Sequence, residues 1–210
     1  MHTRLLILFV KNPIPGRVKT RIAKDAGNVE AAHIYNYLVS RVIAQLNDLE
    51  TTGTNLHIHF DPPEAEEAVE HWLTPALANA NILCAQFIPQ MKGDLGARLS
   101  GSFASAFEEG YDEVAVIGSD CIDISHEILE TTWKKLDKHD AVIGPTKDGG
   151  YYLLALKKHA PTLFHEIPWS TEKTYQATLD AATHEALSVA TLPTLTDIDT
   201  LADWEKAEVR

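Results

Sequence analysis

The residues best suited to chemistry form a basic loop near the start of the chain. Lys11, Arg17, Lys19 and Arg21 fall within eleven positions of a 210-residue chain whose formal net charge is -12. Arginine offers phosphate oxygens a bidentate fork, and lysine offers them a compact point charge. The loop follows the apolar run 5–10, and α/β sheets bind ligands beyond the carboxyl ends of their strands. The loop therefore predicts a phosphate site, with an ordinary solvated turn as the alternative.

The backbone of this loop is also unusual. Pro13 and Pro15 fix their own φ angles, and Gly16 lets the chain turn or come close to a ligand. Neither the Walker pattern Gly-x-x-x-x-Gly-Lys-[Ser/Thr] nor the Gly-x-Gly-x-x-Gly fingerprint is present. The phosphate prediction thus rests on charge and position.

Aspartates follow another apolar run and recur near the end of the chain. Asp120 and Asp123 come directly after the run 113–118, where carboxylate oxygens suit Mg²⁺ or Mn²⁺ beside a diphosphate. Asp123 is expected instead to cap the following helix, which leaves Asp120 as the strongest metal candidate. Asp197 and Asp199 share one side of an extended segment and are candidates for a second ligand.

Two further segments each allow a functional and a structural interpretation. Asp94 and Arg98 stand at a glycine-rich helix start, where they form either an anion site or an ion pair four residues apart. Asp148 lies in an Asp-Gly-Gly turn before two tyrosines, which predicts either a plain hairpin or contacts to a sugar or base. Four apolar residues are predicted to face the core from the first of these segments: Leu95, Leu99, Phe103 and Phe107.

The elements that must position these residues alternate between strand and helix patterns. This alternation predicts an α/β fold, with a mainly parallel sheet, in a single domain over residues 1–210. A helix opened by Asn28 is predicted from the apolar spacing of residues 34 to 46. The predicted strands cover residues 4–10, 55–60, 82–87, 113–118, 140–144, 151–156 and 187–191.

Composition excludes several classes of function. The acidic pI of about 5.2 argues against a nucleic-acid-binding surface, which needs an extended basic face. Cys84 and Cys121 lack metal-ligand spacing and are expected to be buried free thiols, as in a reducing cytoplasm. The short N-terminal apolar run predicts neither a signal sequence nor a membrane span. His57 and His59 share a strand face but lack a third ligand, so a surface or half-buried pair is favoured over zinc.

Five segments together resemble a known family, over residues 4–204. The resemblance is to the bacterial and archaeal glycosyltransferase-A-like family of nucleotide-diphospho-sugar transferases. Asp197-Ile-Asp199-Thr200 is similar, more distantly, to the closing element of the molybdenum-cofactor and 2-phospholactate guanylyltransferases. Ile122 departs from the proline expected within Ser-Asp-Cys-Pro-Asp. The segments are 9–21 (FVKNPIPGRVKTR), 93–99 (GDLGARL), 117–124 (IGSDCIDI), 144–156 (GPTKDGGYYLLAL) and 168–174 (PWSTEKT).

The resemblance implies a Rossmann-like, three-layer α/β/α fold, with a nucleotide over the strand ends and a divalent metal held by aspartate. It implies that Asp148 faces the acceptor or sugar, together with its two glycines. On the basis of this resemblance and of the residue types, we assign catalytic roles to Asp120, Asp148 and Lys19. We assign metal binding to Asp120 and Asp199. The residues assigned to nucleotide binding are Lys11, Pro15, Gly16, Arg17, Lys19, Thr20, Arg21, Asp94, Arg98, Ser119, Gly149 and Gly150.

Three functions remain open at this point. The favoured one is Mg²⁺- or Mn²⁺-dependent glycosyl transfer from a nucleotide-diphospho-sugar to an acceptor. The second is transfer of a nucleotidyl group from a nucleoside triphosphate to a phosphorylated small molecule, with release of pyrophosphate. The third is nucleotide binding by a regulator that turns nothing over. The density of cations in the basic loop favours a triphosphate, whereas the family resemblance favours glycosyl transfer.

Overall fold

The structure is a computed structural model that describes residues 3–47 and 49–208. The two ends of the predicted domain, Met1 with His2 and Val209 with Arg210, lie outside the described residues, as does Asp48. The strands are β1 (Arg4–Lys11), β2 (Thr54–Asp61), β3 (Gln86–Pro89), β4 (Glu113–Ile117), β5 (Ala141–Pro145), β6 (Tyr151–Leu156) and β7 (Val189–Thr191). The helices are α1 (Thr20–Ala26), α2 (Asn28–Gln45), α3 (Glu66–Asn79), α4 (Leu95–Glu108), α5 (His126–Leu136), α6 (Thr174–His184) and α7 (Leu201–Glu208).

The described strands form one mixed sheet in the order β3-β2-β1-β4-β6-β5-β7. Only β6 runs antiparallel to its neighbours among these strands, so the predicted mainly parallel sheet is confirmed. The register pairs Leu8 of β1 with Ile117, the last residue of β4. β1 therefore continues for three residues beyond β4 and carries the basic loop above the end of β4.

Side chains alternate between the two faces of the sheet, as expected for strands buried on both sides. Leu6 and Leu8 of β1 pack in a core shared with α2, α3 and α5, whereas Leu5 and Ile7 pack in a core shared with α4 and α6. A third cluster joins α1, α2 and α7 around Ile198. These layers confirm the three-layer α/β/α fold.

Several sequence predictions about local structure were wrong. The third strand lies at Gln86–Pro89 rather than 82–87, and Cys84, just before it, is exposed rather than buried. Gly27, with a positive φ of 86°, is the N-cap of α2, and Asn28 is its first helical residue. Ser125 caps α5, because its Oγ accepts a hydrogen bond from the backbone N of Ile128, so this cap is not Asp123.

Burial also differs from expectation at two places. Leu95 is 40% exposed, although Leu99 and Phe103 on the same helix are buried as predicted. Leu95 is the first residue of α4 and lies near the carboxyl ends of β1 and β4, at the end of the core. His57 and His59 are buried, not surface residues. His59 Nδ1 lies 2.8 Å from Ser102 Oγ of α4, and the ring of His57 packs against that of Tyr111.

Within residues 3–47 and 49–208, we find no helix with the length and apolar character needed to cross a membrane.

Candidate functional site

A cavity of about 770 Å³ opens where β1 and β4 end, beside the first turn of α4. Pro15 and Gly16 lie on the basic loop but outside the cavity lining. Thus the register of the sheet brings together residues that the sequence separates by as many as 188 positions. The predicted site residues that line the cavity are Lys11, Arg17, Lys19, Thr20, Arg21, Asp94, Arg98, Ser119, Asp120 and Asp199.

Lys19 occupies the centre of the polar contacts in this cavity. Its side chain is only 5% exposed, and its Nζ lies 3.0 Å from Asp120 Oδ2 and 3.1 Å from Asp199 Oδ1. It also donates a hydrogen bond of 2.6 Å to the carbonyl oxygen of Ile198. The three acceptors match the three N–H donors of an ammonium group. The metal pair predicted from sequence, Asp120 and Asp199, is thus bridged by a lysine in this structure.

The contacts of Ile198 and Asp199 hold the segment before α7 against the ends of the strands. The backbone N of Ile198 donates a 3.0 Å hydrogen bond to the carbonyl oxygen of Asp120. Arg21, which is largely exposed, lies 3.4 Å from the second carboxylate oxygen of Asp199. The basic loop, the end of β4 and the segment before α7 therefore meet at Asp199.

A second group of carboxylates lies next to this contact. Ligand oxygens of Asp148, Asp197 and Asp199 all lie within 4.8 Å of one another. Burial raises the pKa of Asp197 to about 6, and the charges of Asp148, Asp199 and Asp120 add to this increase. Carboxylates crowded in this way repel one another, and hard oxygen donors are the set that Mg²⁺ and Mn²⁺ prefer. The donor set therefore fits a divalent cation, and it includes both Asp197 and Asp199, the two candidates for a second ligand, together with Asp148.

Asp148 reaches this group from a turn. Its Oδ1 accepts hydrogen bonds from Thr146 Oγ1 at 2.5 Å and from the backbone N of Gly150 at 3.0 Å. Gly149 has a positive φ of 88°, and a Cβ on it would lie 2.1 Å from the carbonyl oxygen of Glu172. The segment is thus a tight hairpin that presents Asp148 to the carboxylate group, and contacts to a sugar or base stay a prediction.

The start of α4 forms the wall opposite the basic loop. Asp94 caps the helix by accepting a 2.8 Å hydrogen bond from the backbone N of Ala97. Arg98 donates to Gln90 Oε1 at 3.0 Å and lies 3.4 Å from Asp61 Oδ2. Among the described residues Arg98 is thus paired with Asp61, not with Asp94, so the predicted pairing along the helix does not form.

Two residues of the site were missed from the sequence. Tyr35 is buried beneath the cavity, and its hydroxyl lies 2.8 Å from the backbone N of Lys11 and 3.1 Å from Ser119 Oγ. Gln90 donates from Nε2 to the carbonyl oxygens of Val10 and His59. Neither residue belongs to a recognisable motif. The one available signal was for Tyr35, an aromatic residue next to the apolar stripe of α2.

Two other residues have structural roles. Burial raises the pKa of the Cys121 thiol to about 12, which removes it as a candidate nucleophile. Tyr152 is buried, and its hydroxyl donates a 3.2 Å hydrogen bond to the carbonyl oxygen of Pro193. Its ring packs against Gly144, where a Cβ would lie 2.4 Å from the ring. Tyr152 is therefore placed to support the hairpin.

A second cavity, of about 1340 Å³, lies on the other side of the carboxylate group. Asp148 and Asp197 line it, together with Tyr37 of α2 and Trp204 of α7. Arg21 and Asp199 line both cavities. Asp199 therefore stands at the boundary between a basic cavity and one lined by aromatic residues and charges of both signs.

The sequence matches, over residues 46–171, the family described as "Uncharacterized protein conserved in bacteria (DUF2064)". The chain belongs to this family. Comparison with curated proteins finds no match. The DUF2064 chain is similar to a provisionally assigned nucleotide-diphospho-sugar transferase from Desulfovibrio desulfuricans G20. The two are 34% identical with a TM-score of 0.87, over 99% of this chain and 87% of the other.

More distant solved structures share the fold of the DUF2064 chain. One is 4-diphosphocytidyl-2C-methyl-D-erythritol synthase from Anaerococcus prevotii, at 10% identity and a TM-score of 0.63, over 99% of this chain and 98% of the other. Another is inositol-1-phosphate CTP transferase from T. maritima, at 14% identity and a TM-score of 0.55, over 97% and 92% of the two chains. The expected family resemblance and fold are thereby confirmed.

Proposed function

We propose that this protein is a divalent-metal-dependent transferase that moves a glycosyl group from a nucleotide-diphospho-sugar to an acceptor. The observation that carries the proposal is the meeting of a basic cavity and a carboxylate group at Asp199. The diphosphate group of a nucleotide-sugar is bound by positive charges around its phosphates. A divalent cation beside that group is held by carboxylates. The likeness to the nucleotide-diphospho-sugar transferase from Desulfovibrio desulfuricans supports the choice of donor.

The donor would lie in the basic cavity. Lys11 lines it from the end of β1, Arg17 from the loop that follows, and Arg98 from α4. The first turn of α4 would add the attraction of a helix N-terminus for an anion, although the backbone N of Ala97 is already bonded to Asp94. Together these groups would bind the diphosphate and stabilise the negative charge that grows on it as the bond to the sugar breaks.

The carboxylate group would hold the cation. Asp148, Asp197 and Asp199 are the residues that fit it, with Asp120 close enough to raise the pKa of Asp197. The chemistry that Mg²⁺ or Mn²⁺ supplies when bound is neutralisation of the leaving diphosphate. Asp148 also lines the second cavity, so it would face the sugar and the acceptor from the side away from the phosphates.

Nucleotidyl transfer is the second candidate, and one observation favours it. Five cationic side chains line the basic cavity: Lys11, Arg17, Lys19, Arg21 and Arg98. A nucleoside triphosphate brings more negative charge than a diphosphate-sugar, so this number of cations suits a triphosphate better. In this reaction a phosphorylated acceptor would attack the α-phosphorus and release pyrophosphate.

Product analysis separates these candidates. The protein is incubated with nucleotide-sugars or nucleoside triphosphates, with Mg²⁺ or Mn²⁺, and with pooled sugar and sugar-phosphate acceptors. Glycosyl transfer releases nucleoside diphosphate, and nucleotidyl transfer releases pyrophosphate. Thermal shifts with the same nucleotides test binding, since a ligand at a hundred times its Kd adds about 2.7 kcal/mol.

Matched variants make the test specific to the site. Asp148→Asn removes one carboxylate of the group, and Asp180→Asn removes an exposed carboxylate on α6 as the control. We expect Asp148→Asn to abolish turnover and Asp180→Asn to leave it unchanged. Tight nucleotide binding without any turnover would instead support a regulator. If no nucleotide produced a thermal shift, the phosphate-binding proposal itself would be wrong.

A further inference from the structure

The ammonium group of Lys19 lies where the predicted metal pair would hold its cation. We propose that Lys19 is an internal substitute for the divalent cation. It neutralises Asp120 and Asp199 while the protein is free of metal, and it releases Asp199 when the cation binds. This proposal rests on the metal dependence proposed above. It adds that metal binding and a lysine movement are one coupled event.

The contacts of Lys19 support the role of a substitute cation. Three oxygens surround its Nζ, from Asp120, Asp199 and the Ile198 carbonyl, at distances between 2.6 and 3.1 Å. The side chain is almost completely shielded from solvent, so these oxygens replace water around the charge. Without the ammonium, Asp120 would face Asp199 and the neighbouring carboxylates, and Asp199 would keep only its long contact with Arg21. Such repulsion between carboxylates is unfavourable in a partly buried site.

The contacts of Asp199 explain why the Lys19 ammonium and a divalent metal ion compete for this carboxylate. One of its oxygens contacts Lys19 and the other contacts Arg21, so a metal ion bound to Asp199 would lie next to one of these positive charges. The Arg21 contact is long, and its side chain is 65% exposed, so a metal ion can displace it easily. A divalent ion on that oxygen would still lie close to the Lys19 ammonium and repel it.

The backbone of Lys19 indicates that its contacts hold it in place. The residue has φ 45° and ψ 49°, a left-handed conformation that is unfavourable for a residue with a Cβ. The ion pairs with Asp120 and Asp199 offset that cost in the metal-free state. Because Lys19 also lines the basic cavity, its released ammonium has phosphate oxygens within reach once a nucleotide is bound.

The test is the affinity of the nucleotide-free protein for Mn²⁺, measured from the electron paramagnetic resonance signal of the free ion. Lys19→Met removes the ammonium. Arg17→Met is the matched control, because Arg17 is a cation of the same loop without an ion pair in the described part of the chain. We expect Lys19→Met to bind Mn²⁺ about tenfold more tightly than the wild type. The control should gain less than about threefold, because its charge acts only at a distance.

A second variant guards against misfolding. Lys19→Gly also removes the ammonium, and glycine adopts the left-handed conformation without strain. The proposal is overturned if both Lys19 variants bind Mn²⁺ no more tightly than Arg17→Met. In that case, binding by the wild type would leave the proposed metal dependence intact. If neither the wild type nor any variant bound Mn²⁺, both the proposed metal dependence and the proposed role of Lys19 would be wrong. If only the Lys19 variants bound Mn²⁺, the proposal that the Lys19 ammonium takes the place of the metal ion would have its strongest support.

Discussion

The hydroxyl of Tyr35 joins the ends of two neighbouring strands through Lys11 and Ser119. It accepts a 2.8 Å hydrogen bond from the backbone N of Lys11 and lies 3.1 Å from Ser119 Oγ. Tyr35 itself belongs to α2, and burial raises its pKa, so the hydroxyl stays protonated. A helix residue therefore fixes the relative position of the basic loop and the end of β4.

Tyr35→Phe should weaken this connection without creating a large cavity. A buried amide loses its acceptor, so we expect the free energy of unfolding to fall by about 1–2 kcal/mol. Urea denaturation measures this change. Tyr37→Phe is the control, because Tyr37 is on the same helix and half exposed. An equal loss in both variants would contradict the proposed connection.

Asp197→Asn should stabilise the metal-free protein. The native pKa of Asp197 is raised from 3.8 to about 6, so ionising it costs more in the folded than in the unfolded chain. This penalty grows as pH rises from about 4 to about 6 and is constant above. We expect a gain of about 1–2 kcal/mol at pH 7, after allowance for solvent screening.

The same variant should lose the stabilisation that Mn²⁺ gives the wild type, because one carboxylate ligand is gone. Thermal unfolding with and without Mn²⁺ measures both effects, with Asp180→Asn as the control. A metal-free melting temperature that falls in Asp197→Asn would contradict a raised pKa of Asp197 in the folded protein.

His59 should make the protein sensitive to acid. Burial lowers its pKa from 6.5 to about 3, and the charge of His57 adds to this decrease. Between these pH values the unfolded chain binds a proton that the folded chain does not. The free energy of unfolding should therefore fall, as pH drops from 6.5 towards 3, by up to about 1.4 kcal/mol per pH unit.

His59→Asn removes this titration and keeps a group able to bond Ser102. We expect the pH dependence of urea unfolding to be shallower in this variant than in the wild type. His71→Asn, an exposed position on α3, should leave the slope unchanged. Parallel curves for wild type and His59→Asn would mean that His59 titrates normally in the folded protein.

Gly149→Ala should disturb the hairpin that presents Asp148. The added Cβ would meet the backbone of Glu172 at 2.1 Å in a conformation with positive φ, so the backbone has to shift. We expect a loss of about 1–3 kcal/mol in stability. We also expect weaker Mn²⁺ binding, because Asp148 moves with the turn.

Gly118→Ala is the matched control, since a Cβ there meets nothing within 4 Å. Its stability should stay within about 0.5 kcal/mol of the wild type. Mn²⁺ titration and urea unfolding of both variants test the argument. Normal metal affinity in Gly149→Ala would show that the turn does not position Asp148.

Local patterns determined much of what the structure contains. Apolar runs and helical spacing gave the α/β class, the order of elements and most strand positions. Strands buried on both faces are continuous apolar runs, and helices that pack on a sheet repeat apolar residues at helical spacing. The weak strand β3 was misplaced, since only four residues carry its pattern. The basic loop was evident because its charge contrasts with an acidic chain.

Tertiary structure alone decided how these residues are combined. Lys19 and Asp199 lie 180 positions apart, and no local pattern indicates that the ammonium of one contacts the carboxylate of the other. The same holds for Tyr35 beneath the cavity and for Asp197 beside Asp148. Such contacts depend on strand register and on the path of the chain after β7, which are set by packing of the whole sheet. The sequence thus determined the kinds of groups available, and the fold determined which of them meet.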